Sequence, residues 1–120
     1  MMGYVDAHGR ALVEIHVSSS QAVARIPVTA WIDTAFDGHL VFPRELIKEL
    51  ELELLAETDA ILADGSRVIL ETFLCFIEWF GELLPLQVIA NDGRFPLLGT
   101  GLLDQHVLCV NYRQRSLTLD

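Results

Sequence analysis

Runs of Val, Ile, Thr and aromatic residues recur along this chain, each closed by an isolated turn marker, and that punctuation constrains the fold more than any other feature. Runs of this kind are strands, and many of them with little helix between predict a mostly β domain. Ala11 to Val17 and Ala22 to Asp33 carry a hairpin signature with the turn Ser18 to Ser20 between them. Ile61-Leu62 and Val68 to Leu70 flank Ala63-Asp64-Gly65-Ser66, where Asp-Gly suits a tight turn because glycine accepts positive φ. Phe73 to Phe80 and Leu83 to Ala90 flank a further turn at Gly81, and Leu97-Leu98, Val107 to Val110 and Ser116 to Leu119 read as short strands. One helix is expected after Pro43, ending near Leu52, with Leu46, Ile47 and Leu50 on one face. Thr100 to Gln105 reads as a helical turn capped by the Thr100 hydroxyl.

No linker, low-complexity tract or repeat divides the 120 residues, and 52% of them are apolar, so residues 1–120 are expected to form one domain. The 8 Lys and Arg residues against 17 Asp and Glu leave a net charge of -9, which offers no positive field to a nucleic acid or an anionic membrane surface. Val68 to Ala90 is broken by Glu71, Glu78, Gly81, Glu82 and Pro85, so no membrane span is expected, and the first ten residues lack a signal-peptide core. Cys75 and Cys109 each sit in an apolar run without a C-x-x-C pair, which predicts buried reduced thiols and a cytoplasmic location.

The chemistry concentrates in AWIDTAFDGHLVFP, where an apolar strand ends in Asp33-Thr34-Ala35 and another begins at Leu40. A carboxylate at a strand end, beside a small hydroxyl residue and a nearly bare backbone, is held rigidly yet can face a cleft. Burial raises the pKa of such a group and hydrogen bonds to its ionised oxygens lower it. Other chemistries lack their patterns. His8, His16, His39 and His106 are scattered with no zinc-ligand spacing, so no metal is expected. Ser18 to Ser20 have no G-x-S-x-G elbow, and Gly99-Thr100-Gly101 has no phosphate-loop lysine.

In order and spacing, Asp33-Thr34-Ala35, the following Phe36-Asp37-Gly38-His39-Leu40, the hairpin tip Ala63-Asp64-Gly65-Ser66 and the later Leu97-Leu98-Gly99 resemble the retropepsin-like aspartic proteases, in particular their small single-lobed bacterial members. The resemblance runs over about residues 12 to 119. It implies a single-lobed acid-protease barrel with one or two short helices, and a homodimer, because one chain supplies one aspartate where the reaction needs two. It further implies Asp33 as the catalytic residue, Thr34, Ala35, Leu97, Leu98 and Gly99 as active-site support, and Asp37, Gly38, Ala63, Asp64 and Gly65 as substrate-binding positions on an extended peptide or protein. The hairpin about Asp64-Gly65 would be the flap, and no cofactor is implied. Two departures stand out: Ala35 where glycine is usual, and Thr100 where an arginine commonly follows the Leu-Leu-Gly element to pair with the acid at the place of Asp37. They motivate a rival reading, a non-catalytic dimeric peptide-binding or scaffold domain on the same fold. A third is a small β-barrel interaction domain unrelated to proteases.

Overall fold

Val13, Ile15 and Val17 are buried while Glu14 between them is exposed, the period-two pattern of a strand with one face on a core. In a computed structural model describing residues 1–120, that pattern recurs around a closed barrel. The strands are β1 (Met2–Val5), β2 (Ala11–Ser18), β3 (Ile26–Ile32), β4 (Leu40–Pro43), β5 (Glu53–Ile61), β6 (Arg67–Trp79), β7 (Glu82–Asn91), β8 (Leu97–Leu98), β9 (Leu108–Asn111) and β10 (Ser116–Leu119). The helices are α1 (Arg44–Leu50) and α2 (Thr100–Leu103). Hydrogen bonding runs in the order β5-β6-β7-β4-β8-β3-β2-β1-β10-β9. A further pairing of β2 with β6, through Val17↔Ile77 and Ser18↔Phe76, closes β2, β3, β8, β4, β7 and β6 into a ring. Inside it lie Val13, Ile15, Leu40, Phe42, Cys75, Ile77, Val88 and Leu98, all at most 1% exposed. No helix is long and apolar enough to cross a membrane.

The strand β6 serves two purposes. Its second half puts Cys75, Ile77 and Trp79 into the core, whereas its first half has no buried residue and pairs with β5, also without one. The two make an arm that stands clear of the barrel, ending in residues 62–66, where Gly65 takes φ 84°. Asp64 Oδ1 accepts the Ser66 hydroxyl at 2.6 Å and the Ser66 amide at 2.9 Å, and those bonds hold its carboxyl below the usual carboxylate range.

Several sequence expectations are corrected. The segment after Ser20 begins to pair at Ile26, not Ala22: the β2–β3 ladder ends at Val17↔Ile26, while Val17 and Ser18 pair with β6 on their other edge. The strand expected at Ile61-Leu62 starts as early as Glu53: Glu-Leu-Leu-Ala-Glu has good helix formers, but Glu51 takes φ 55° and ends the helix, and pairing with β6 then decides. The two runs Val68 to Leu70 and Phe73 to Phe80 are one continuous strand. The N-terminal strand β1 was not anticipated. Thr100 does not cap α2, since its hydroxyl is spent on a carbonyl of another loop. Both cysteines are free, but only Cys75 is buried, because Cys109 lies on the outer face of the edge strand β9. Burial pushes the Cys75 thiol up to about 12. A thiol reagent added to the folded protein at neutral pH is therefore expected to label Cys109 alone, with Cys75 reacting after denaturation; rapid labelling of both in the folded state would contradict this packing.

Candidate active site

Asp33 sits where β3 leaves its pairing with β8. Trp31↔Leu97 and Ile32↔Leu98 pair in parallel, and the Asp33 amide continues the ladder by donating to the Leu98 carbonyl at 2.9 Å. The chain then turns at once. The Phe36 amide donates to the Asp33 carbonyl at 3.2 Å, and the Ala35 amide donates to Asp33 Oδ1 at 3.0 Å. That bond fixes the side chain in a tight loop and leaves Oδ2 without a partner in the chain. The carboxyl is half-buried, with no cation paired to it. A carboxyl so placed is oriented and still free to act on something outside.

The loop is locked from behind by the segment after β8. Gly99 donates to His39 O at 2.9 Å, Thr100 to Phe36 O at 2.8 Å and Gly101 to Gly38 O at 3.0 Å. The Thr100 hydroxyl adds a second bond to Phe36 O at 3.2 Å. Gly99 has an ordinary φ of -98°, so its identity is set by space rather than by conformation. A Cβ there would fall on the Gly38 carbonyl oxygen and within 2.7 Å of the Phe36 oxygen. Leu-Leu-Gly-Thr-Gly is thus the buried clamp on the loop that carries Asp33.

A cavity of about 430 Å³ opens at the carboxyl, lined by Trp31, Ile32, Asp33, Thr34, Ala35 and Leu97. Of the support positions, Thr34, Ala35 and Leu97 reach it, while Leu98 is fully buried in the core and Gly99 acts in the clamp. Asp37 is not at this cavity; it borders a shallower depression with Thr100, Gly101, Leu103 and Asp104. Gly38, Ala63, Asp64 and Gly65 do not line the Asp33 cavity either. No group of three His, Cys, Asp or Glu side chains is gathered closely enough to hold a metal ion.

Sequence reasoning missed Trp31 and the surface it belongs to. Thr72, Ile89, Val41, Leu97, Trp31 and Leu12 are successive lateral partners across β6, β7, β4, β8, β3 and β2. Lateral partners share a face, and the chain neighbours Ala90, Phe42, Leu98, Ile32 and Val13 are in the core, so this mainly apolar row lies on the other side of the sheet, the side of the Asp33 cavity, with Leu12 and Val41 themselves covered and Trp31 exposed. The same face continues up the arm as Ala56, Thr58, Ala60, Val68 and Leu70, without a charge. The opposite face of the arm is mixed, with Glu57, Asp59, Arg67 and Glu71 beside the exposed Ile61 and Ile69. Trp31 is braced edge-on by Phe95 at 6.1 Å, over which lies the guanidinium of Arg10, itself held by Asp6 at 2.7 Å. The available signal was the alternation of Trp31 with buried Ala30 and Ile32 directly before the aspartate.

No family model matches the sequence, and no curated protein matches it. Solved structures do. A retropepsin-like aspartic protease from Rickettsia conorii aligns with 99% of this chain and 88% of its own at TM-score 0.72 and 14% identity. The EIAV protease, solved with the inhibitor HBY-793, aligns with 83% of this chain and 90% of its own at TM-score 0.57 and 14% identity. The retroviral protease-like domain of Ddi1 from Leishmania major aligns with 91% and 88% at TM-score 0.50 and 13% identity.

Proposed function

We propose that this chain, which has the fold of the retropepsin-like aspartic proteases, is a homodimeric endopeptidase that hydrolyses peptide bonds with a water activated between two symmetry-related Asp33 carboxyls. The observation that carries the reading is Asp33 itself: a carboxyl at a strand end, oriented by the Ala35 amide, clamped from behind by Gly99 to Gly101, and with Oδ2 free beside an apolar cavity.

One such carboxyl per chain makes half a catalytic pair. A two-fold axis beside the loop supplies the other half, because an isologous contact brings like residues together. Two carboxyls that close cannot both ionise, so they share a proton and titrate as a pair. The ionised member takes a proton from the water as it attacks the peptide carbonyl, and the protonated member donates to the carbonyl oxygen; the leaving amine collects a proton as the tetrahedral intermediate collapses. The reading gives Thr34 a bond that fixes the pair and lets the small Ala35 admit the partner's backbone. The arm is the flap: its uncharged face continues the apolar row beside Asp33, suited to covering an extended peptide, with Ala63, Asp64 and Gly65 at the tip and Asp37-Gly38 at the loop as substrate contacts. Two cysteines with no disulfide between them suit a cytoplasmic setting, which is the one we infer.

Subunit mixing tests the shared site. Active chain incubated with a threefold excess of the Asp33→Asn chain should fall to about one quarter of its peptide-cleaving activity, the chance of meeting an intact partner. Unchanged activity, or cleavage by a species that sediments as a monomer, would overturn the homodimeric mechanism. A protein that binds peptides and cleaves none between about pH 3 and pH 7, a window that spans the ordinary carboxyl range, would be the binding module instead.

A further inference from the structure

The face of the arm that carries charges is the one turned toward α1, and there the attachment is ionic. Arg44, the first residue of α1, lies between two carboxylates: Nη1 donates to Glu71 Oε1 in close contact, and Nε donates to Asp92 Oδ1 at 3.1 Å. Glu71 is on β6 shortly before that strand enters the barrel wall at Cys75, and Asp92 directly follows β7. Both acids keep the guanidinium charged, Glu71 most strongly.

Two further observations locate this contact at a hinge. Packing between arm and helix is incomplete: a cavity of about 370 Å³ lies there, floored by Ile47, Leu52, Phe73 and Ala90, with Arg44 and Glu71 at its rim. The β5 strand is also bulged at Leu55, between the pairs Leu54↔Phe73 and Ala56↔Thr72, two residues before Glu57, the lateral partner of Glu71. An unpaired residue in a ladder is where a strand bends. The root of the arm therefore has a bend in one strand, an ionic tie on the other, and open space rather than packed side chains behind it.

We propose that Arg44 is a positioning residue: through Glu71 it ties the root of the arm to α1 and so sets how far the arm stands from Asp33. This rests on the arm acting as the flap in the reading above. Arg44 touches no reacting atom. Asp92 holds the guanidinium by one edge and presents the other to Glu71, which a lysine, with no fork, cannot reproduce.

The test uses the full chain and two independent readouts: amide hydrogen exchange of residues 57–70 against barrel amides such as Val13 and Ile77, and KM against kcat on a cleaved peptide. Glu71→Gln should speed exchange in the arm by about fivefold at low salt and leave the barrel amides unchanged. About 1 M salt should do the same to the unaltered chain. KM should rise with kcat little affected, since the arm acts on binding. Exchanging the charges, Arg44→Glu with Glu71→Arg in an Asp92→Asn background, should bring exchange back to within about twofold of the original. Unchanged arm exchange in Glu71→Gln, barrel amides that accelerate together with the arm, or an exchanged pair that fails to restore protection would each overturn the proposal. Hydrogen exchange decides the tie even in a chain that cleaves nothing, whereas loss of the endopeptidase reading is read from subunit mixing.

Discussion

Asparagine in place of Asp33 is expected to lower the turnover of peptide cleavage by about 10³-fold, the scale on which positioned acid–base groups act, with the melting temperature almost unmoved. The substitution changes little but charge. The amide oxygen still accepts from the Ala35 N–H, as Asp33 Oδ1 does at 3.0 Å, and the side chain is half-exposed with no ion pair to lose. What goes is the group that removes a proton from water, and it goes from both halves of a homodimer at once. Turnover and thermal melting of the two chains at matched concentration give the answer. Equal turnover would end the aspartic-protease mechanism, and a large fall in melting temperature would mean that Asp33 is a structural residue.

Gly99→Ala is expected to cost about 3 kcal/mol of stability, because the added methyl has nowhere to go. Its neighbours would be the Gly38 carbonyl oxygen, the Phe36 carbonyl oxygen and the Phe36 ring. Two of those are backbone atoms, which cannot rotate aside. Relief requires the 36–39 loop to move off the 99–101 segment, breaking the bonds Gly99 to His39, Thr100 to Phe36 and Gly101 to Gly38. A loss of that size lowers the melting temperature of a domain this small by roughly 10 °C. Because the displaced loop also carries Asp33, activity should fall even well below the melting point. Alanine at position 99 with unaltered melting would show that the two segments do not interlock.

Many of the strands could be read from residue types, although their closure into a barrel was implied only by the resemblance. The turn at Gly81, the strand Ser116 to Leu119 and the helix after Pro43 follow from local rules, since φ preference, alternation and helical spacing act within a few residues. The turn at Asp33-Thr34-Ala35 was legible for the same reason, but by local rules alone Asp33 is an ordinary turn residue, and its role was implied only by the resemblance carried by the order and spacing of motifs along the whole chain. What escaped was set by distant partners. Glu53 to Glu57 became a strand because β6 was available to pair with it, and Thr100 turned its hydroxyl from its own helix to Phe36. The apolar row from Thr72 to Leu12 spans six strands, so no window of sequence contains it.

Closure of the ring through the short contact of Val17 and Ser18 with Ile77 and Phe76 has a kinetic meaning. Hairpins such as β6–β7 join near neighbours and can form early, but this seam unites distant parts of the chain and must wait until the loop-closure entropy between them has been overcome. Like the other long-range pairings, β3–β8 and β1–β10, it is expected to form after the hairpins, and until it is made the walls of the barrel are an open, sticky sheet.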